Sequence, residues 1–205
     1  MSKIGLLVEC GRDGLEVVMC RRIGELLSQD HGVEVELEIV PMENKARLLE
    51  DCESVVARLL ADGCDRVVIL WDERPAWPEM GEPLCWHNDR LQVLAELKKA
   101  KVSTGKAHLV CIEREFESWL LFDKAMLSSA LSRPRPTHPV SANPPRHPDR
   151  IENPKGAMIT LFSKCGAGRY VDTQAARRFA ECLSGLNRLR KCDTFRRFEK
   201  KVLDL

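Results

Sequence analysis

At 205 residues and 23.3 kDa, with 44% hydrophobic and 31% charged residues, the chain can bury one sizeable α/β core, and its composition excludes global disorder. No apolar run nears the roughly 20 residues that span a bilayer, and Ile4–Val8 is too short for a secretory signal, so the expected compartment is the cytoplasm. The net charge of +1 hides an acidic front, −6 over residues 1–149, and a basic tail, +7 over residues 150–205; this suits either a metal site beside a polyanion-binding surface or two oppositely charged faces of one protein.

Lys3–Cys10 is a short apolar run closed by Gly11, and it reads as a buried strand. Asp13 is placed to cap a helix whose stripe is Leu15, Val18, Met19, Ile23, Leu26 and Leu27. Val33–Val40 alternates aliphatic residues with Glu34, Glu36 and Glu38, which predicts a half-exposed edge strand ended by Pro41. A second helix follows, with Leu48, Leu49, Cys52, Val55, Val56, Leu59 and Leu60 inward. Arg66–Trp71 is the strongest buried strand. Asn88 can cap a third helix through Leu91, Leu94 and Leu97, and Ala107–Glu113 predicts a fourth strand running into a helix over 114–131. Such alternation implies right-handed crossovers and a mainly parallel sheet of about four strands flanked by helices.

Six prolines between Pro134 and Pro148 then break the pattern. Beyond them Asn153-Pro154 is a helix start, a capping residue followed by proline at the first helical position. Further helices are expected around Thr173–Leu183 and Asp193–Leu203, the last with Phe195, Phe198, Val202 and Leu205 on one face. The expected organisation is an α/β core over 1–131, a proline-rich loop over 132–150, and a basic helical extension over 151–205. That extension should pack on the core through Phe179, Leu183, Phe195, Phe198 and Val202.

Acids gather where a parallel sheet presents its functional groups, at the carboxyl ends of strands. Glu9 ends the first strand, Asp72 and Glu73 the third, and Glu113 the fourth, with Glu115, Glu117 and Asp123 following. Carboxylates brought together repel unless a cation intervenes, and hard oxygen donors suit Mg²⁺ or Mn²⁺. Glu9 is a candidate ligand, or else it pairs with Arg12 or caps the first helix. Asp72 is a candidate ligand, or else it caps a turn. Trp119, Leu120 and Leu121 are expected to pack a helix against the sheet.

Other chemistries fit less well. No G-x-x-x-x-G-K-[ST] stretch supports a P-loop, and Gly11 with Gly14 is a weak phosphate signal. Cys10 at a strand end invites comparison with cysteine phosphatases, but Glu16 stands where their arginine would be. Cys85 and His87 lack a second pair at zinc spacing. The nine cysteines contain no C-x-x-C and are expected to be reduced and mostly buried.

The stretches LLVECGRDGLE, VVILWDERPAW and CIEREFESWLLFD, with ENPKGAMITLF and KCDTFRRFEKKVL later, resemble a bacterial domain-of-unknown-function family, number four-two-seven-six. The resemblance spans nearly the whole chain. It implies a TOPRIM-like fold, related to the metal-dependent domains of topoisomerases, primases and OLD-type nucleases, often encoded beside ATPases in loci that defend against phage or mobile DNA. The TOPRIM glutamate falls on Glu9 and the first aspartate of its D-x-D on Asp72. The second aspartate falls on Arg74, which cannot bind a metal, and the turn is E-C-G where E-G is usual.

Two readings follow. In the first, a nuclease, Glu9, Asp72 and Glu117 are the catalytic acids. Glu9, Asp72 and Glu73 are then the candidate ligands of Mg²⁺ or Mn²⁺, and Arg12 and Arg74 neutralise phosphate. The second is a non-catalytic TOPRIM-like module that binds and regulates an ATPase partner or nucleic acid.

Overall fold

The structure, a computed structural model, describes residues 2–73, 86–103, 105–132 and 139–205. Arg74 and Cys85, both singled out above, lie outside them. Strands β1 (Ser2–Val8), β2 (Val35–Pro41), β3 (Arg66–Asp72) and β4 (Ala107–Ile112) form one sheet in the order β2-β1-β3-β4. Every pairing is parallel. Helices α1 (Leu15–His31), α2 (Lys45–Ala61) and α3 (Trp86–Lys99) fall between the strands.

Side-chain alternation gives the sheet two covered faces. Ile4, Leu6 and Val8 of β1 join Val68 and Leu70 of β3 in the core beneath α1 and the C-terminal helices. Leu7, Val67, Ile69 and Trp71 face the other way, onto Leu48, Cys52, Val56 and Leu59 of α2 and Val93 and Leu97 of α3. Gly5 belongs to this second layer for want of space: a Cβ there would lie 2.8 Å from Leu59 Cδ1.

Several local expectations are corrected. Asp13 does not cap α1; the cap position is Gly14, with no side-chain bond, and the helix closes on Gly32 at φ 61°. Strand β2 does end on Pro41, as expected, but begins at Val35 and not Val33; the proline is tolerated because β2 is an edge. Asn88 falls within α3, whose buried residues are Val93 and Leu97, leaving Leu91 and Leu94 exposed. The helix expected over 114–131 is broken. Arg114 takes φ 69°, a short α4 covers Glu117–Leu120, and α5 begins at Lys124, its Met126 N–H bonded to Asp123 Oδ1 at 3.0 Å. A carboxylate cap restarts the helix and fixes Asp123 in a structural role.

Helices α6 (Pro154–Lys164), α7 (Asp172–Cys182) and α8 (Asp193–Leu203) complete the chain. Asn153 caps α6 as expected, accepting from the Gly156 N–H at 2.7 Å. Phe179, Leu183, Phe195, Phe198 and Val202 are all buried in the same core as β1 and α1. Leu205, by contrast, is exposed. Trp119 ties the layers together. Its ring meets Phe195 edge-on at 5.2 Å and Phe198 at 5.4 Å, and its indole N–H donates to Thr194 Oγ1 at 2.8 Å. It packs against α8, a partner the sequence does not name.

The basic tail is therefore part of the core. Phe195→Ala should cost about 3–5 kcal/mol, read as a lower denaturation midpoint with unchanged slope. A chain ended at Ser132 should be insoluble; a soluble, cooperatively melting fragment would show instead that the tail is a separate module.

Candidate functional site

The parallel pairing of β1 and β3, with Val8 opposite Leu70, carries Glu9 and Asp72 off the same end of the sheet. The two are in direct contact. The Asp72 N–H donates to Glu9 Oε2 at 3.2 Å. This replaces both alternatives for Glu9: it neither pairs with Arg12 nor caps α1.

Further charges enter from both layers. From the second, Lys45 is buried and donates its ammonium to the Asp72 carbonyl at 2.9 Å while pairing with Asp89 of α3 at 2.7 Å. From the first come Glu16 of α1, with Glu115 and Glu117 at the start of α4. The tail contributes as well. Glu115 Oε2 accepts the Lys155 N–H at 2.9 Å, so a carboxylate sits on the N-terminus of α6. The hydroxyl of buried Tyr170 donates to Glu117 Oε1 at 3.0 Å.

Burial and mutual repulsion act on these acids in the same direction. Burial pushes Glu9 from 4.5 up to about 8; Glu16 and Asp89 add to the rise, and the Asp72 amide and Lys45 oppose it. Asp72 is driven well above the carboxylate range, first by burial, then by Glu9, and further by Glu16, Glu117 and Glu115. Burial, then Glu115, lifts Glu117 to about 7 against Lys155 and the Tyr170 hydroxyl. Glu16 is raised by burial too, with the Cys10 thiol hydrogen-bonded to it. Acids outnumber lysines here, and the excess carboxyls are buried and hold their protons toward neutral pH.

The chain matches no protein-family model, no curated protein and no solved structure. Its chemistry is therefore read from the residues themselves.

Of the acids singled out from sequence, Glu9, Asp72 and Glu117 come together. Glu73 turns elsewhere, accepting the Arg114 N–H at 3.3 Å and facing its guanidinium at 3.6 Å. Glu113 is exposed and faces Arg197 at 3.5 Å. Arg12 is exposed and makes no ion pair among the described residues. Sequence reasoning missed Glu16, Lys45, Lys155 and Tyr170. Only Lys155, inside ENPKGAMITLF, and Tyr170, the lone tyrosine, carried a signal that could have found them. Burial raises the Cys10 and Cys20 thiols far above their usual range and Cys111 to about 12, which disfavours the thiolate at these three positions. All described cysteines are unpaired.

A hard divalent cation fits the chemistry of this donor set, which consists of oxygens only and is destabilised by its own charge. Among the described residues no three acidic, histidine or cysteine side chains are grouped into a cage that could hold a metal ion. Mg²⁺ commonly needs no such cage, binding through one or two carboxylates and keeping its waters.

The raised acids set a sign for stability. Between pH 4.5 and about 8 the folded protein holds protons on Glu9 and Glu117 that the unfolded chain has released. This contribution is complete below 4.5 and is lost as pH rises through about 7 and about 8. The melting temperature of the metal-free protein should fall over that window, and Glu9→Gln should flatten the fall. A wild-type curve as flat as the mutant's would show that Glu9 is not a buried, protonated acid.

Proposed function

We propose that the protein is a Mg²⁺- or Mn²⁺-dependent phosphodiester-processing enzyme, a TOPRIM-like nuclease of the defence-associated kind that its sequence resembles. The observation that carries this reading is the contact of Glu9 with Asp72 at adjoining strand ends, among more buried acids than bases. Glu9 and Asp72 would hold the cation, with Glu117 beside them. Bound there, it would polarise a phosphodiester and make a bound water acidic.

The chain's own groups supply the rest. Glu117, at about 7, can exchange a proton at neutral pH. Tyr170 holds its Oε1, which fixes the carboxyl and leaves Oε2 to take the proton. Lys45 is anchored between the Asp72 carbonyl and Asp89 and steadies the end of β3. Arg12, exposed on the turn after β1, would neutralise backbone phosphate. A second reading, the non-catalytic module that regulates an ATPase or binds nucleic acid, draws support from Glu73. The nearest acid that could replace the one lost at Arg74 is engaged by Arg114.

Asp72→Asn separates the two. It keeps the shape and removes a charge from a repulsive cluster, so the metal-free mutant should melt above wild type. It should also lose the stabilisation that Mn²⁺ gives wild type. Cleavage of single- and double-stranded DNA and RNA should drop by hundreds-fold or more. Wild-type melting indifferent to Mn²⁺, with no cleavage, would support the module instead. Equal cleavage by wild type and mutant would remove Asp72 from the mechanism.

A further inference from the structure

At the opposite end of the sheet from the acids, the open edge of β4 borders a cavity of about 690 Å³. Three consecutive β4 residues, Ala107, His108 and Leu109, line it. Since neighbours in a strand point to opposite faces, this cavity lies against the strand's edge and not beneath one face. Helix α3 walls one side with Leu94 and Leu97, and α8 reaches the other with Lys201.

The backbone at this edge has bonds to give. The carbonyls of Lys106 and Ile112 accept from Val67 and Glu73 beside them in β3, so residues of even number turn their main-chain groups inward. Ala107, Leu109 and Cys111 therefore direct theirs outward. Among the described residues β4 has no second strand neighbour. These three positions span about 13 Å, the reach of a five-residue strand.

Charge decides what kind of strand. Arg90, Lys98, Lys101 and Lys201 line the cavity, and among the described residues none of them is ion-paired and no acid joins them in the lining. Burial, then Lys201, lowers the His108 pKa, which registers the same excess of cations. The nearby Asp204 is taken by Arg66 at 2.7 Å. A second copy of this chain would set four cations against four. An acidic segment would neutralise them while its apolar side chains meet Leu94 and Leu97.

We propose that the β4 edge is a docking site for an extended acidic segment of a partner protein, which adds to the sheet as a fifth strand. Main-chain bonds to Ala107, Leu109 and Cys111 hold it, and carboxylates at alternate positions meet the lysines and arginine. This site is independent of the acidic cluster and stands or falls without it.

The test uses the full chain and a blocked peptide, acetyl-Glu-Val-Glu-Ile-Glu-Val-Glu-amide, at millimolar concentration, followed by amide NMR and hydrogen exchange. Saturable shifts centred on 107–111, with slowed exchange at Ala107, Leu109 and Cys111, are expected. A proline in place of the central isoleucine should abolish the protection, and Lys98→Glu with Lys101→Glu should weaken binding about tenfold. Absence of protection at those amides would overturn the proposal. So would equal shifts from an oligonucleotide or from the proline peptide, since both would mean attraction without strand addition. Concentration-dependent protection of the same amides without peptide would assign the edge to a second copy and overturn it as well.

Discussion

Because β1 and β3 run side by side in parallel, with Val8 opposite Leu70, their carboxyl ends must emerge together, and each carries an acid: Glu9 just past β1 and Asp72 closing β3. The contact between the Asp72 amide and the Glu9 carboxylate is the local result. Burial of unpaired carboxylates costs free energy, and repulsion adds to it. The surroundings offset only part of the charge, through Lys45 behind β3, the Tyr170 hydroxyl on Glu117, and Lys155 at the head of α6. A fold selected for stability alone would replace such acids with apolar residues. Their presence at the sheet's carboxyl end is what the proposed function accounts for.

The C-terminal helices serve that same end. Glu115 binds the first turn of α6, Tyr170 fixes Glu117, and Trp119 is locked between Thr194, Phe195 and Phe198. Removing the tail would thus unmake the site as well as the core. Part of the tail's positive charge is also spent internally. Arg190 bridges Asp30 and Glu199, and Arg197 faces Glu113. The charge division visible in the sequence is therefore partly a set of contacts between tail and front, and not wholly a surface for polyanions.

What was legible in the sequence follows from how local each signal is. The four strands were readable because their apolar runs are short and bounded, and β2 was readable as an edge because its glutamates alternate. The break between α4 and α5 was not. It depends on Arg114 in a left-handed conformation and on Asp123 capping a new helix, while the apolar spacing around Trp119 and Leu120 suits one continuous helix. Glu9 and Asp72 stand out because strand ends announce themselves, and Glu117 only because it follows one turn beyond Glu113 in the acidic segment after the fourth strand. Glu73 was misplaced because the side-chain direction of a residue past a strand end is set by tertiary partners, here Arg114. Glu16 and Lys45 reach the site only through the packing of helices whose rotation no single-chain pattern specifies, and Tyr170 through the fold of the segment between α6 and α7.

The sheet consequently carries opposite charge at its two ends: buried acid where β1 and β3 finish, exposed base where β4 begins. A parallel sheet makes this separation easy, since its strand ends are chemically distinct by construction. It also removes a conflict. Lysines close to Glu9 and Asp72 would neutralise the acids and compete with any cation for them, whereas lysines near the start of β4 leave the acids' field intact. Lys45 is the exception that shows the rule, because Asp89 at 2.7 Å balances it locally. The acidic end thus keeps a cluster of buried, proton-holding carboxyls, while the basic end carries exposed lysines and an arginine beside the β4 edge.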